Sequence, residues 1–306
     1  MLLPRITLTF VTLLSLAPGA AAVEESQRYP RPELLIEADE LMQRLGDEPR
    51  LFRNQTEADA RTNPPETLLD VRSEKAFKAG TIVTARHVDI GAWKAAFGDG
   101  QDAEAWSKRL GDVLLGEDST VIVFDDAVTP NAARAWWILK YWGVKDVRIL
   151  NGGVKAWTAA GGEFGPPTTM RTRVPIKAEP HPDRLATAAE VLAFIAAGDN
   201  EAVLIDTRTD GENAAGYIPT ACHTDWQECV DPATGKIRSA EELGELLARA
   251  NFERSGRTIT YCQSGGRASV VAFATELMGG ERVENYFGSW GEWSQLPDAP
   301  IARPGK

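Results

Sequence analysis

Thr258-Ile259-Thr260-Tyr261-Cys262-Gln263-Ser264-Gly265-Gly266-Arg267-Ala268 reads as strand, tight loop and helix start. A largely β-branched run ends at a cysteine, two glycines and an arginine follow, and a helix-forming segment covers 268–278. A thiol therefore stands where a strand hands over to a helix. Glycine tolerates positive φ, so successive amides can curl around an anion at such a place. The helix N-terminus adds roughly half a positive charge. Both effects favour thiolate over thiol and make Cys262 a candidate nucleophile. The competing reading is a small buried apolar residue at a strand end, the ordinary fate of a lone cysteine.

The surrounding pattern occurs twice. Leu68-Leu69-Asp70-Val71-Arg72 returns as Leu204-Ile205-Asp206-Thr207-Arg208, an offset of 136 residues (68 to 204). The same offset relates Ile82-Val83-Thr84-Ala85-Arg86-His87-Val88-Asp89 to Ile218-Pro219-Thr220-Ala221-Cys222-His223-Thr224-Asp225, Gly152 to Gly288, and Trp157 to Trp293. So long a period means tandem domains rather than a solenoid. Between these blocks the register slips by one, and Val121-Ile122-Val123-Phe124-Asp125 best matches Thr258-Ile259-Thr260-Tyr261-Cys262. An aspartate, Asp125 or Asp126, thus stands where the second half has its cysteine, and Ala127-Val128-Thr129-Pro130-Asn131 replaces the glycines. Proline removes an amide donor, and carboxylates repel an anion. The first half is expected to be silent and the second active.

Apolar runs at 67–71, 121–124, 203–206 and 258–261 alternate with helical patterns at 38–45, 132–142, 188–197, 240–250 and 268–278. This alternation predicts an α/β fold of two tandem domains, each a mostly parallel sheet with helices on both faces. Ligands of such sheets sit at the carboxyl ends of strands, where Cys262 falls. The expected organisation is a first domain over 33–165, a proline-rich linker over 166–183 and a second domain over 184–300, with a polar surface loop at 49–65. The nine tryptophans are expected to pack in cores or between domains.

The chain has 306 residues, 43% hydrophobic and 25% charged, as expected of about two globular domains. A net charge of -11 argues against nucleic acid and anionic membrane surfaces as partners, so an anionic substrate needs a local positive field. Residues 1–22 combine Arg5, an apolar run over 6–16 and small residues ending at Ala22, the pattern of a secretory signal peptide cut near Ala22. The run is too short to span a bilayer, and no cysteine follows for a lipid anchor. A periplasmic or extracellular location is expected. The three cysteines, Cys222, Cys229 and Cys262, leave at least one thiol unpaired within the chain, and a Cys222–Cys229 bridge stays open. Three scattered histidines give no metal-site spacing.

These residues resemble the rhodanese sulfurtransferases. The resemblance rests on the Asp206-x-Arg208 strand end, on Gly216-Tyr217-Ile218-Pro219-Thr220-Ala221, on the Cys262 loop, and on Gly288-x-Trp290-x-x-Trp293. The first half matches at Asp70, Arg72, Ala85, Asn151-Gly152-Gly153 and Trp157, and the likeness covers roughly 33–300. It implies a tandem rhodanese with an inactive first and an active second domain, moving sulfane sulfur through a persulfide on Cys262. The sulfur goes from thiosulfate or a related donor to cyanide, a small thiol or a protein thiol, with no metal or organic cofactor. Amides over Gln263, Ser264, Gly265, Gly266, Arg267 and Ala268 would hold the persulfide. Arg267 would meet the anion or close the loop onto Asp206 or another acid. Asp206 would be mainly structural, with Arg208 near the site. His223, recurring as His87, would be framework.

The loop departs from the family pattern. Thiosulfate enzymes of this family usually place a cation two residues after the cysteine, here Ser264, and another four after the Asp-x-Arg arginine, here Glu212. The mercaptopyruvate branch reads Cys-Gly-Ser-Gly-Val-Thr, unlike this Cys-Gln-Ser-Gly-Gly-Arg. The identity of the donor therefore stays open. Cysteine phosphatases of related fold need a loop one residue longer than the four residues between Cys262 and Arg267. A non-catalytic sulfur-carrier or redox-sensing module is the further alternative.

Overall fold

A computed structural model describes residues 28–47, 66–114, 116, 118–167, 174–198 and 202–304. The proposed signal peptide and the 49–65 loop lie outside the described residues.

The first domain has five parallel strands, β1 (Leu35–Ile36), β2 (Thr67–Asp70), β3 (Arg86–His87), β4 (Val121–Phe124) and β5 (Val147–Leu150), in the order β1-β5-β4-β2-β3. Around it lie α1 (Ala38–Asp47), α2 (Glu74–Ala79), α3 (Ile90–Phe97), α4 (Ala103–Val113), α5 (Pro130–Tyr141) and α6 (Gly153–Ala159). Thr129 caps α5 by accepting from the Asn131 and Ala132 amides, and Pro130 opens the helix where its missing N–H costs nothing.

The second domain repeats the plan with β6 (Ala202–Asp206), β7 (Cys222–His223), β8 (Arg257–Tyr261) and β9 (Arg282–Asn285), ordered β7-β6-β8-β9. Its helices are α7 (Ala188–Ala197), α8 (Asp210–Ala215), α9 (Ala240–Arg249), α10 (Gly266–Leu277) and α11 (Ser289–Trp293). A single parallel bridge from Leu185 to Asn285 stands where the first domain has β1. The expected two-domain α/β plan is therefore present, with the named strands of the described residues all pairing parallel. Phe124 pairs with Asp70 and Tyr261 pairs with Asp206, so Asp125 and Cys262 occupy equivalent strand-end positions.

The domains do not merely adjoin. Helix α5 runs against α10 in the most extensive contact involving a helix, and one apolar cluster holds Trp136, Trp137 and Phe97 together with Val270, Phe273 and Phe287. Trp136 meets Phe273 edge-on at 5.0 Å. Phe287 enters the first domain, 4.5 Å from Phe97 and stacked at 5.3 Å on Trp137. Polar ties lie around this contact: Asn151 accepts from the Ile237 amide at 2.9 Å and donates to Glu37 at 2.7 Å. In the segment leading into α7, Arg184 sits over the Trp136 ring at 5.5 Å and pairs with Glu276 of α10. The tryptophans thus pack in core and interface. Each such aromatic pair contributes about 0.5–1.5 kcal/mol beyond simple burial. Phe287→Ala should lower stability by about 3–5 kcal/mol, the range for deleting a buried phenyl, read as a fall in the urea midpoint at unchanged m.

Candidate active site

Strand β8 ends at Tyr261, and α10 begins at Gly266, two residues before the pattern suggested. Between them Cys262 is 1% exposed. The Ser264 amide donates to its Sγ at 3.4 Å. The amides of Gly266, Arg267 and Ala268 lie in the first turn of α10, where N–H groups have no intrahelical acceptor and remain available to an anion. Gln263 is exposed at the loop's outer edge. Gly265 caps the helix at φ 81, the left-handed conformation that glycine adopts without strain. Gly266 has no positive φ; a Cβ there would lie 2.4 Å from Arg134 Nη2 of the first domain. Its glycine admits a neighbour and does not turn the chain.

A residue absent from the sequence-based site holds the loop closed. The amides of Cys262 and Gly265 both donate to Ser289 Oγ at 3.1 Å, and that hydroxyl donates to Tyr286 O at 2.7 Å. The Gly265 amide is therefore turned to Ser289, not to the sulfur. Behind it the Trp290 and Gly291 amides donate to the Cys262 and Gln263 carbonyls at 3.0 Å. A Cβ at Gly291 would come within 2.8 Å of the Gln263 carbonyl. Asn285 donates to Gly265 O at 2.9 Å. The late glycine–tryptophan segment is thus a buttress beneath the cysteine loop.

Asp206 and Arg208 form a buried tie. Arg208 donates to Asp206 Oδ1 at 2.9 Å and Oδ2 at 2.6 Å, and to Gly216 O at 2.7 Å. The Trp290 ring lies 4.3 Å from its guanidinium. Asp206 also accepts from the Tyr261 hydroxyl at 2.9 Å. Burial, then the Asp206 charge, hold that phenol far above its ordinary range. The first domain repeats the tie: Arg72 donates to Asp70 at 2.6 Å and to Gly80 O at 2.8 Å. His223 and His87 contact the Arg208 and Arg72 carbonyls at 2.8 and 2.9 Å. Pairs duplicated in a half without the cysteine serve to fix strand ends.

Arg267 closes onto Glu212, not onto Asp206. Its Nη1 and Nη2 donate to Glu212 Oε2 and Oε1 at 2.6 and 2.8 Å. Glu212 is the third residue of α8, held in a capping box with Thr209. Arg267 beside it, against burial and with Thr209, pulls its carboxyl down to about 2. Arg267 is pushed further up by Glu212 first, and then, against burial, by the Cys262 charge. The acid at the position where the resemblance leads one to expect a cation thus engages the loop's own cation.

At the equivalent place in the first domain, Asp125 is buried and accepts from the Asp126 amide at 2.8 Å and from the Thr129 hydroxyl. Burial raises its carboxyl above the ordinary range. Cys222, Cys229 and Cys262 are all free thiols. Burial pushes Cys229 up to about 12, and Cys222 lines a cavity of ≈ 380 Å³ with Phe194, Leu204 and Asn251, near the amino ends of the strands. No group of three or more His, Cys, Asp or Glu suited to a metal occurs among the described residues.

A model of the rhodanese-like domain matches residues 54–160 and again 187–296. The chain belongs to the rhodanese family. It carries two rhodanese-like domains in tandem. It is 29% identical over 304 residues to the sulfur carrier protein TtuD of Thermus thermophilus, covering 90% of this chain and 98% of that one. It is 34% identical over 219 residues to putative thiosulfate sulfurtransferase 1 of Mycobacterium bovis, covering 65% and 77% respectively. Its fold matches the wild-type structure of EanB with a TM-score of 0.77 at 22% identity, covering 90% of this chain and 70% of that one.

The Glu212–Arg267 pair gives a test. Glu212→Gln should release the Arg267 charge and tighten sulfite binding by roughly two- to fivefold in calorimetry, the scale of one partly exposed pair. A carboxyl lowered to about 2 keeps its pair at any higher pH and loses it only as pH falls through that value. Taking the parent protein from pH 7 to pH 4 should therefore not reproduce the effect of the substitution.

Proposed function

We propose that the protein is a sulfurtransferase acting through a Cys262 persulfide. The observation that carries this reading is a sheltered sulfur at a parallel-strand end, held 3.4 Å from the Ser264 amide in a short loop that leads into the glycine-capped start of α10. With thiosulfate, the Cys262 thiolate attacks the outer sulfur. The sulfur–sulfur bond of the donor breaks, sulfite leaves with the electron pair, and Cys262 carries the persulfide anion. Cyanide or a thiolate then attacks the terminal sulfur and regenerates Cys262. Preorganised amides stabilise the charge on sulfur in both steps. Thiosulfate as donor draws support from the sulfurtransferase names of several relatives. 3-Mercaptopyruvate is the less favoured donor, because the loop departs from that branch. Phosphate ester hydrolysis is disfavoured, because only four residues separate Cys262 from Arg267.

The first domain is read as silent, supported by Asp125 and its Thr129 bond at the cysteine-equivalent position. Export, with cleavage near Ala22, rests on the pattern of residues 1–22. A second reading is a sulfur carrier without turnover, favoured by likeness over nearly the whole length of a relative so named.

Thiosulfate should add one sulfur atom to Cys262, seen by mass spectrometry, and cyanide should release it as thiocyanate with repeated turnover. Cys262→Ser should abolish both, with no aryl-phosphate hydrolysis in either protein. A stable adduct that no acceptor discharges catalytically would select the carrier instead.

A further inference from the structure

Arg134 belongs to α5 of the first domain, yet it meets the cysteine loop of the second. Its Nη2 donates to the Ser264 carbonyl at 2.9 Å. Its guanidinium lies so close to Gly266 that a Cβ there would be 2.4 Å from Nη2 and 2.7 Å from Cζ. A Cβ at 266 would push the Arg134 side chain aside, so the glycine is what admits the guanidinium this close. The Nε of Arg134 is buried and has no hydrogen-bond partner. No acid among the described residues pairs with Arg134, whereas Arg267 is paired through Nη1 and Nη2 with Glu212. Burial pulls Arg134 below the ordinary arginine range, and the one charge that pushes back is that of Cys262. An always-charged guanidinium left without a carboxylate and partly shielded from water favours an anion nearby.

We propose that Arg134 is the positioning and specificity-determining cation of this site, supplied across the domain interface to draw anionic sulfur donors to Cys262. It rests on the sulfurtransferase reading and deepens it. The two cations missing from the second domain's own sequence are replaced by one from the first domain. Arg267 divides its charge between Glu212 and Cys262, whereas Arg134 meets no carboxylate among the described residues that would compete with an incoming sulfur anion. The acidic surface of the whole chain, with a net charge of -11, makes such a local positive centre necessary.

The test uses the full chain and two probes that alkylate the same thiolate, anionic iodoacetate and neutral iodoacetamide. Arg134→Gln should lower the ratio of their rate constants at Cys262 about tenfold at low salt, the scale of losing one partly desolvated charge. It should also raise KM for thiosulfate more than it lowers kcat. Arg134→Lys, which keeps the charge, should restore most of the ratio. An unchanged ratio and KM in a folded Arg134→Gln protein would overturn the proposal. So would an Arg134→Lys protein as impaired as Arg134→Gln. If neither Arg134→Gln nor Arg134→Met folds, by thermal melting, Arg134 is only a strut and the proposal fails. Should the parent protein take sulfur from no donor, the sulfurtransferase reading fails by itself, and the alkylation ratio still reports on Arg134.

Discussion

Two backbone amides, three residues apart, converge on one hydroxyl, and the site depends on that convergence. Ser289 Oγ accepts from Cys262 and Gly265 and donates to Tyr286. A hydroxyl has one donor and two acceptor lone pairs, so all its capacity is used. Ser289 is fully buried and adopts φ 55, an uncommon conformation for a residue with a side chain. The surrounding fold must impose it. With the ends of the loop pinned to one oxygen, the intervening Ser264 amide is left to face the sulfur. The helix that follows begins one residue after the pinned Gly265, with its first-turn amides free of intrahelical acceptors. Neither glycine nor cysteine would define this geometry without the serine beneath them.

The remaining contacts act on this pinned loop from outside. Trp290 and Gly291 supply amides to its carbonyls from below. Glu212 holds Arg267 at one side, and Arg134 holds Ser264 from the other domain. Phe287 lies at the junction, because it packs into the aromatic cluster of the first domain and also fills the space where Gly265 would carry a Cβ. Packing between the domains and the shape of the cysteine loop are thus one mechanical problem.

Much of the fold was legible because its central strands are buried on both faces. Val121–Phe124 and Thr258–Tyr261 are continuous β-branched and aromatic runs, as doubly covered parallel strands require. Strands of two residues, such as Arg86–His87 and Cys222–His223, carry no period to read. Strand β9 was obscured by Arg282 and Glu284; the carboxylate of Glu284 is neutralised across the sheet by Arg257 at 2.6–2.7 Å. Within the site, Cys262 was visible from its strand–glycine–helix setting, and Glu212 stood out as an acid where a cation was anticipated. Ser289 and Arg134 were not visible. One acts through a single strained φ imposed by tertiary packing. The other sits in an alanine- and tryptophan-rich helix whose contact with the loop exists only after two domains dock.

The shared wall between the domains has a consequence for ancestry. After an internal duplication, a copy without a cysteine at its strand end can still be retained for what it supports. Here the first copy is built into the second one's architecture, through an aromatic socket and an arginine seated on a glycine. Deleting it would strip the Cys262 loop of one side of its enclosure. The first repeat thereby serves as masonry for its twin, whatever chemistry it has or lacks.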